Sequence, residues 1–180
     1  MIIIWGNNKL NPVITQSTNW KCWYAKLSLA TCKDCRELNL RIFEMYKFLL
    51  CPLHPRCRCH VDPLGAIYNG TATTDGLLGA DVWLKMYGEL PKNYVDKDYA
   101  KAHGWKRFKG NLRDVLPGAT MGGDIYFNAK KKLPEKNGRI WYEADINYDD
   151  GFRNTHRILY SNDGLVFVTY DHYNTFYEII

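Results

Sequence analysis

The 180-residue sequence predicts an α+β fold: short helices first, then a five-stranded antiparallel sheet, with a small cysteine-rich unit in front. Three observations carry this reading. Ala80, Trp83, Leu84 and Tyr87 recur at helical spacing, and further helix signals follow as far as residue 116. From Met121 onward the chain reads as strands, most clearly at 139–148, where apolar and polar residues alternate. All six cysteines (Cys22, Cys32, Cys35, Cys51, Cys57 and Cys59) lie in the first third. Helices followed by strands, rather than interleaved with them, is the order of an α+β domain.

In chain order, residues 1–21 show no clear periodicity, and Asn11-Pro12 is a turn signal, so an irregular start is expected. Met1–Trp5 is too short an apolar run for a signal-peptide core, and no basic stretch precedes it. No run approaches the ~20 apolar residues of a membrane span. The expectation is a chain that either is not exported by the general route or is a piece of something larger. The net charge is +5. Residues 1–75 hold 9 Lys/Arg against 5 Asp/Glu, and residues 76–180 hold 15 against 14. Phosphate attraction in the second part must therefore come from local clustering of cations.

Cys32-x-x-Cys35 is followed by His54-Pro-Arg-Cys57-Arg-Cys59. A Cys-x-x-Cys turn sets two thiolates on one tetrahedral ion, and a second pair about twenty residues later completes four ligands. Four of Cys32, Cys35, His54, Cys57 and Cys59 would hold a structural zinc, stabilising a segment with little core of its own. Local disulfides or free thiols are the alternatives. Gly65 to Gly76 is small and polar and reads as a linker. The boundary is placed near Asp75, giving a cysteine-rich module at 1–75 and a second domain at 76–180.

The helix begun at Ala80 can end at Gly88. Asp96 is an N-cap for a short helix ending near Gly104. Lys97 then sits at its first position, where a cation opposes the helix dipole. Asn111 to Leu116 is a third short helix, closed by Pro117-Gly118. The five strands are Met121–Asn128, Arg139–Tyr148, His156–Ser161, Leu165–Tyr170 and Tyr173–Ile179, with a hairpin signal at Asn162-Asp163-Gly164.

The second of these strands has two distinct faces. Ile140, Tyr142, Ala144, Ile146 and Tyr148 suit a core. Arg139, Trp141, Glu143, Asp145 and Asn147 set carboxylates among aromatic and cationic neighbours. After the turn Asp149-Asp150-Gly151 come Arg153 and Arg157. A strand carboxylate with arginines beyond the next turn is equipped to act on a phosphate ester, and His172 is the candidate for the further acid group. Trp83, Trp105 and Trp141 read as core residues, and Asp124 and Asp145 as partners for cations or backbone donors.

Trp141-x-Glu-Ala-Asp-Ile-Asn-Tyr148, Gly151-Phe-Arg-Asn154, Arg157-Ile-Leu-Tyr-Ser161 and Asp171-His-Tyr-x-Thr-Phe176 closely resemble the barnase family of secreted bacterial ribonucleases. Gly122-Gly-Asp-Ile125, Lys109-Gly-Asn-Leu112 and Leu90-Pro-x-Asn-Tyr94 extend the likeness over residues 76–180. The resemblance implies the barnase fold and an endoribonuclease needing no cofactor for catalysis. A base takes the ribose 2′-hydroxyl proton, the hydroxyl attacks its own phosphate, and an acid protonates the departing 5′-oxygen. A 2′,3′-cyclic phosphate results, a path closed to DNA. By resemblance Glu143 is the base, His172 the acid, and Lys97, Arg153 and Arg157 the phosphate-binding cations. The family also implies secretion or delivery into a target cell, a toxin role, and a small acidic barstar-like inhibitor as partner.

The family reads guanine on the loop after the first strand of its sheet, through backbone N–H groups and a glutamate. Here that loop is Phe127-Asn128-Ala129-Lys130, and Lys130 stands at the glutamate's place. An ammonium has no acceptor, so weakened or altered guanine preference is expected. Tyr126, Asn128, Lys130 and Tyr173 are the candidate base-side residues, and Lys130, Lys131 and Lys132 either contact phosphate or form a solvated basic loop. The motif His54-Pro-x-Cys57-Arg-Cys59, with Cys-x-x-Cys upstream, resembles the cysteine motif of phage Mu F-type minor head proteins. That likeness implies a phage-type delivery or anchoring module joined to a nuclease. Two other readings stay open: a structural or delivery protein with an inert nuclease fold, and a zinc-dependent nucleic-acid binder.

Overall fold

The computed structural model describes residue 10 and residues 12–180, so expectations for residues 1–9 and 11 lie outside the described residues. In chain order the elements are β1 (Ile14–Tyr24), α1 (Lys33–Leu38), β2 (Ile42–Glu44), β3 (His60–Ile67), α2 (Ala80–Tyr87), β4 (Tyr94–Val95), α3 (Lys97–Ala102), α4 (Leu112–Val115), β5 (Thr120–Tyr126), β6 (Trp141–Asp145), β7 (Arg157–Ser161), β8 (Val166–Thr169) and β9 (Tyr177–Ile179). The class is α+β, as expected. The five predicted strands are β5 to β9, joined antiparallel in sequence order. Among the described residues, however, the sheet has nine strands rather than five, in the order β2-β1-β3-β9-β8-β7-β6-β5-β4. The parallel pairs are β4 with β5 and β3 with β9.

The extra strands have identifiable causes. Gly65 to Ile67, expected as linker, is the end of β3, and Ala66 and Ile67 pair with Glu178 and Ile179. Small residues occur there because the chains pass closely: a Cβ on Gly65 would fall 2.7 Å from the Tyr177 ring. In β1 the alternation is broken by a register shift between Gln16 and Lys21. Within that shift Ser17 and Asn19 donate to the two carboxylate oxygens of the buried Glu178, at 2.5 and 3.0 Å.

The sheet is covered on both faces. On one, α2 packs Ala80 and Leu84 on Ala144, Ile146, Ile158, Val168 and Ile179. On the other, Trp141, Leu159, Phe167 and Phe176 pack with Leu133 and with Trp20, Ile42 and Leu64 of the N-terminal strands. Each large apolar side chain fully buried contributes about 1.5–3 kcal/mol, so this shared core ties the cysteine-bearing part to the rest. It also divides the polar face of β6. Trp141 is enclosed, while Glu143 and Asp145 lie beyond the cover.

The helices follow their signals. Gly88, at φ +74°, ends α2. Asp96 caps α3 by accepting from the Tyr99 backbone N–H at 2.7 Å, which leaves Lys97 at the first helical position.

Candidate active site

Glu143 lies on β6 with only 8% of its surface exposed, so its charge must be met locally. Lys97 Nζ donates to Oε1 at 2.8 Å, and the Tyr173 hydroxyl donates to Oε2 at 2.5 Å. Burial pushes the Glu143 carboxyl up. The Lys97 and Tyr173 hydrogen bonds, with the Lys97 and Arg153 charges, outweigh it and hold the group below the usual carboxylate range. A bulge in β5 between Gly122 and Asp124 sets Asp124 opposite Glu143. Asp124 Oδ2 is 3.4 Å from Lys97 Nζ, and its Oδ1 accepts the Lys97 backbone N–H. The helix start that disfavours a cation at Lys97 is thus compensated by two carboxylates.

Asp145, two residues on, is fully buried. It takes the Arg153 guanidinium in a two-pronged contact, 2.7 Å from Nε and 2.7 Å from Nη2. Arg157 Nε lies 2.9 Å from the same carboxylate, and its Nη1 donates to the His156 carbonyl and to Asn154 Oδ1. One carboxylate therefore fixes both arginines, as the sequence reading of Asp145 anticipated. Arg153 Nη1 and Arg157 Nη2 have no hydrogen-bond partner among the described residues, which leaves donors for a phosphate.

His172 was expected to lie just ahead of a strand beginning at Tyr173. The chain instead makes a loop and enters β9 only at Tyr177. Asp171 causes this by collecting Thr169 Oγ1, the Asn174 and Thr175 backbone N–H groups and Thr175 Oγ1. His172 and Tyr173 both take left-handed backbone angles, φ +56° and +66°. The His172 side chain is exposed, and the His172 backbone N–H donates to the Thr155 carbonyl.

Lys97, Glu143, Arg153, Arg157, His172 and Tyr173 all line one cleft of about 660 Å³. Its wall is drawn tight at Gly110, where a Cβ would fall 2.8 Å from the Gly151 carbonyl carbon. Lys101 and Arg107 also line it. They were not singled out in the sequence, and only the i, i+4 spacing of Lys101 from Lys97 on α3 signals the first of them.

Of the base-side candidates, Tyr173 lines this cleft, whereas Tyr126, Asn128 and Lys130 are not among its lining residues. Tyr126 stacks on Tyr173, ring centroids 5.2 Å apart. Asn128 is buried, and its amide closes the loop on the Leu133 backbone in both directions, at 2.9 and 3.1 Å. Lys130 is exposed. Lys132 is neither a solvated residue nor free for phosphate. It is buried, and its Nζ donates to the Tyr173 and Asn174 carbonyls.

The cysteine cluster assembles separately. His54 Nε2 is 3.3 Å from Cys32 Sγ and 3.6 Å from Cys35 Sγ, and Cys35 Sγ is 3.6 Å from Cys57 Sγ. Cys59 completes a second group with Cys35 and Cys57. Ligand atoms around a tetrahedral zinc lie about 3.3–3.8 Å apart, so these residues fit the ion. His54 Nδ1 lies 2.9 Å from the Pro55 carbonyl, an acceptor that leaves Nε2 free as a ligand. All six cysteines are free thiols.

Residues 83–180 match the ribonuclease family. The chain is 50% identical over 107 residues to ribonucleases of Heyndrickxia coagulans, Bacillus intermedius and Bacillus pumilus. The aligned stretch is 59% of this chain, 95% of the first relative and 64% of each Bacillus protein, so the chain spans just under two thirds of those two.

Proposed function

The chain belongs to the barnase-type ribonuclease family, and from that premise we propose that it cleaves single-stranded RNA by 2′-hydroxyl attack, without a catalytic metal. Glu143 is the base, His172 the acid, and Lys97, Arg153 and Arg157 stabilise charge on the phosphorane. The observation that carries this reading is Glu143 itself, a buried carboxylate kept ionised beside Lys97 and in one cleft with His172 and both arginines. An ionised carboxylate at neutral pH is what the first proton transfer requires. In the second step His172 takes the proton of an attacking water, and Glu143 returns its own to the 2′-oxygen. RNA cleavage in EDTA, with 2′,3′-cyclic ends among the products, tests it.

On the base side, Tyr126 stacked on Tyr173 offers an aromatic surface. Lys130, exposed and without an acceptor, does not receive the donors of guanine. A dinucleotide panel is expected to show weak preference for guanine. Lys130→Glu should raise cleavage after G relative to other bases by roughly 10- to 100-fold, the worth of a charged hydrogen bond. Cleavage after G alone by the unaltered protein would count against this.

The role proposed is a toxin, delivered into a target cell by a phage-type system and restrained by an acidic inhibitor over the cationic cleft. Cys32, Cys35 and His54, with Cys57 or Cys59, would hold a structural zinc that cross-links α1 to the segment before β3. Metal analysis should find one zinc per chain, and Cys35→Ser should lose the metal and lower the melting temperature. A metal-free protein with an unaltered melt would reject the zinc.

A further inference from the structure

We propose that Lys132 is a positioning residue for cleavage: it clamps the loop that presents His172 and Tyr173 to the cleft. The proposal rests on the assignment of His172 as acid. A buried ammonium normally meets a carboxylate. Lys132, 8% exposed, instead donates to two successive carbonyls, of Tyr173 at 2.8 Å and Asn174 at 3.0 Å. Burial, and then the nearby charge of Lys130, pull its pKa down. Its charge is therefore kept at some cost, for two contacts with one short loop.

That loop needs external support. Two adjacent non-glycine residues at positive φ are disfavoured and persist only where the surroundings over-determine them. Asp171 holds the loop from inside through its four accepted hydrogen bonds, and Lys132 holds the carbonyls that follow His172. Tyr173 lies at the centre of this arrangement, because its hydroxyl also donates to Glu143. One lysine thereby fixes the acid's backbone and the aromatic partner of the base.

The clamp is itself anchored. The Lys132 carbonyl accepts from the Ile42 N–H of β2 at 2.8 Å. The next residue, Leu133, is buried in the core shared with the N-terminal strands and is bound by Asn128. Leu40, Ile42 and Leu64 also line a small crevice with Asn174, Thr175 and Phe176. The cysteine-bearing part thus braces the acid loop from one side, and the base-reading loop braces it through Lys132.

The test is steady-state cleavage of a dinucleoside monophosphate, below the melting temperature of every variant. Lys132→Met is expected to lower kcat by about 10- to 100-fold, the cost of a misplaced catalytic group, with KM nearly unchanged. Lys132→Arg, which keeps a cationic donor, should recover most of the loss. If Lys132→Met does not fold, Lys132→Gln decides by the same split. Unaltered kcat in a folded variant, or a rise in KM alone, overturns the clamp. His172→Ala, assayed alongside, reports on the acid assignment itself and so separates the two failures.

Discussion

Glu143→Gln is expected to lower kcat/KM for RNA by about 100- to 10,000-fold, the usual contribution of a positioned base. The amide matches the carboxylate in shape and still accepts from Tyr173 or Lys97, so the cleft keeps its form. It does not take the 2′-hydroxyl proton. A pH profile of the unaltered protein carries the same information. Because Lys97 and Tyr173 outweigh burial and hold Glu143 low, the acid limb of kcat/KM should fall below the ordinary carboxyl range. The stability linkage has the matching sign. A carboxyl depressed by folding stabilises the protein above its unfolded pKa, and that contribution is lost as pH falls through the folded value. The Gln variant should lack this part of the acid sensitivity. Circular dichroism separates loss of base from loss of fold, and near-normal cleavage by a folded variant would remove Glu143 from its role.

Asp145→Asn is expected to be the most destabilising single change at the site. Its carboxylate is buried against two guanidiniums, Arg153 at 2.7 Å and Arg157 at 2.9 Å. Removing one partner of a buried ion pair costs about 3–5 kcal/mol, because the remaining charge stays desolvated and unpaired. For a chain of this size that corresponds to a fall in melting temperature of roughly 6–20 °C. Activity should fall as well, since both arginines proposed to bind phosphate lose the carboxylate that aims them. Thermal melts and kcat/KM measured together check this, and an unshifted melt would show that the arginines are held by other contacts.

Much of the site was legible because its signals are short-range. The alternation at 139–148, the turn after it and the paired arginines lie within one continuous stretch, and the Asp96 cap fixed Lys97 by itself. What stayed hidden depends on partners far along the chain. Gly65 to Ile67 looks like linker until β9 lies beside it. The register shift near Ser17 erases the alternation of β1 in order to reach Glu178. Lys132 ends a basic run that reads as solvated, and only its burial beside Leu133 turns it toward carbonyls 41 and 42 positions away. The two-faced reading of β6 held for Glu143 and Asp145. Trp141, on that same face, is buried as its reading as a core residue expected, and the N-terminal strands supply part of its cover. The loop at Asp171 replaced the expected start of β9 because one carboxylate can collect several local donors, which periodicity does not register.

The chemistry is tested most directly by the products of a dinucleoside monophosphate treated with folded protein in EDTA, beside its 2′-deoxy analogue. The expected result is a 2′,3′-cyclic phosphate and a free 5′-hydroxyl from the ribose substrate, and no cleavage of the analogue. Cleavage of the 2′-deoxy analogue, or no cleavage of the ribose substrate by folded protein, would contradict general acid–base transesterification by Glu143 and His172.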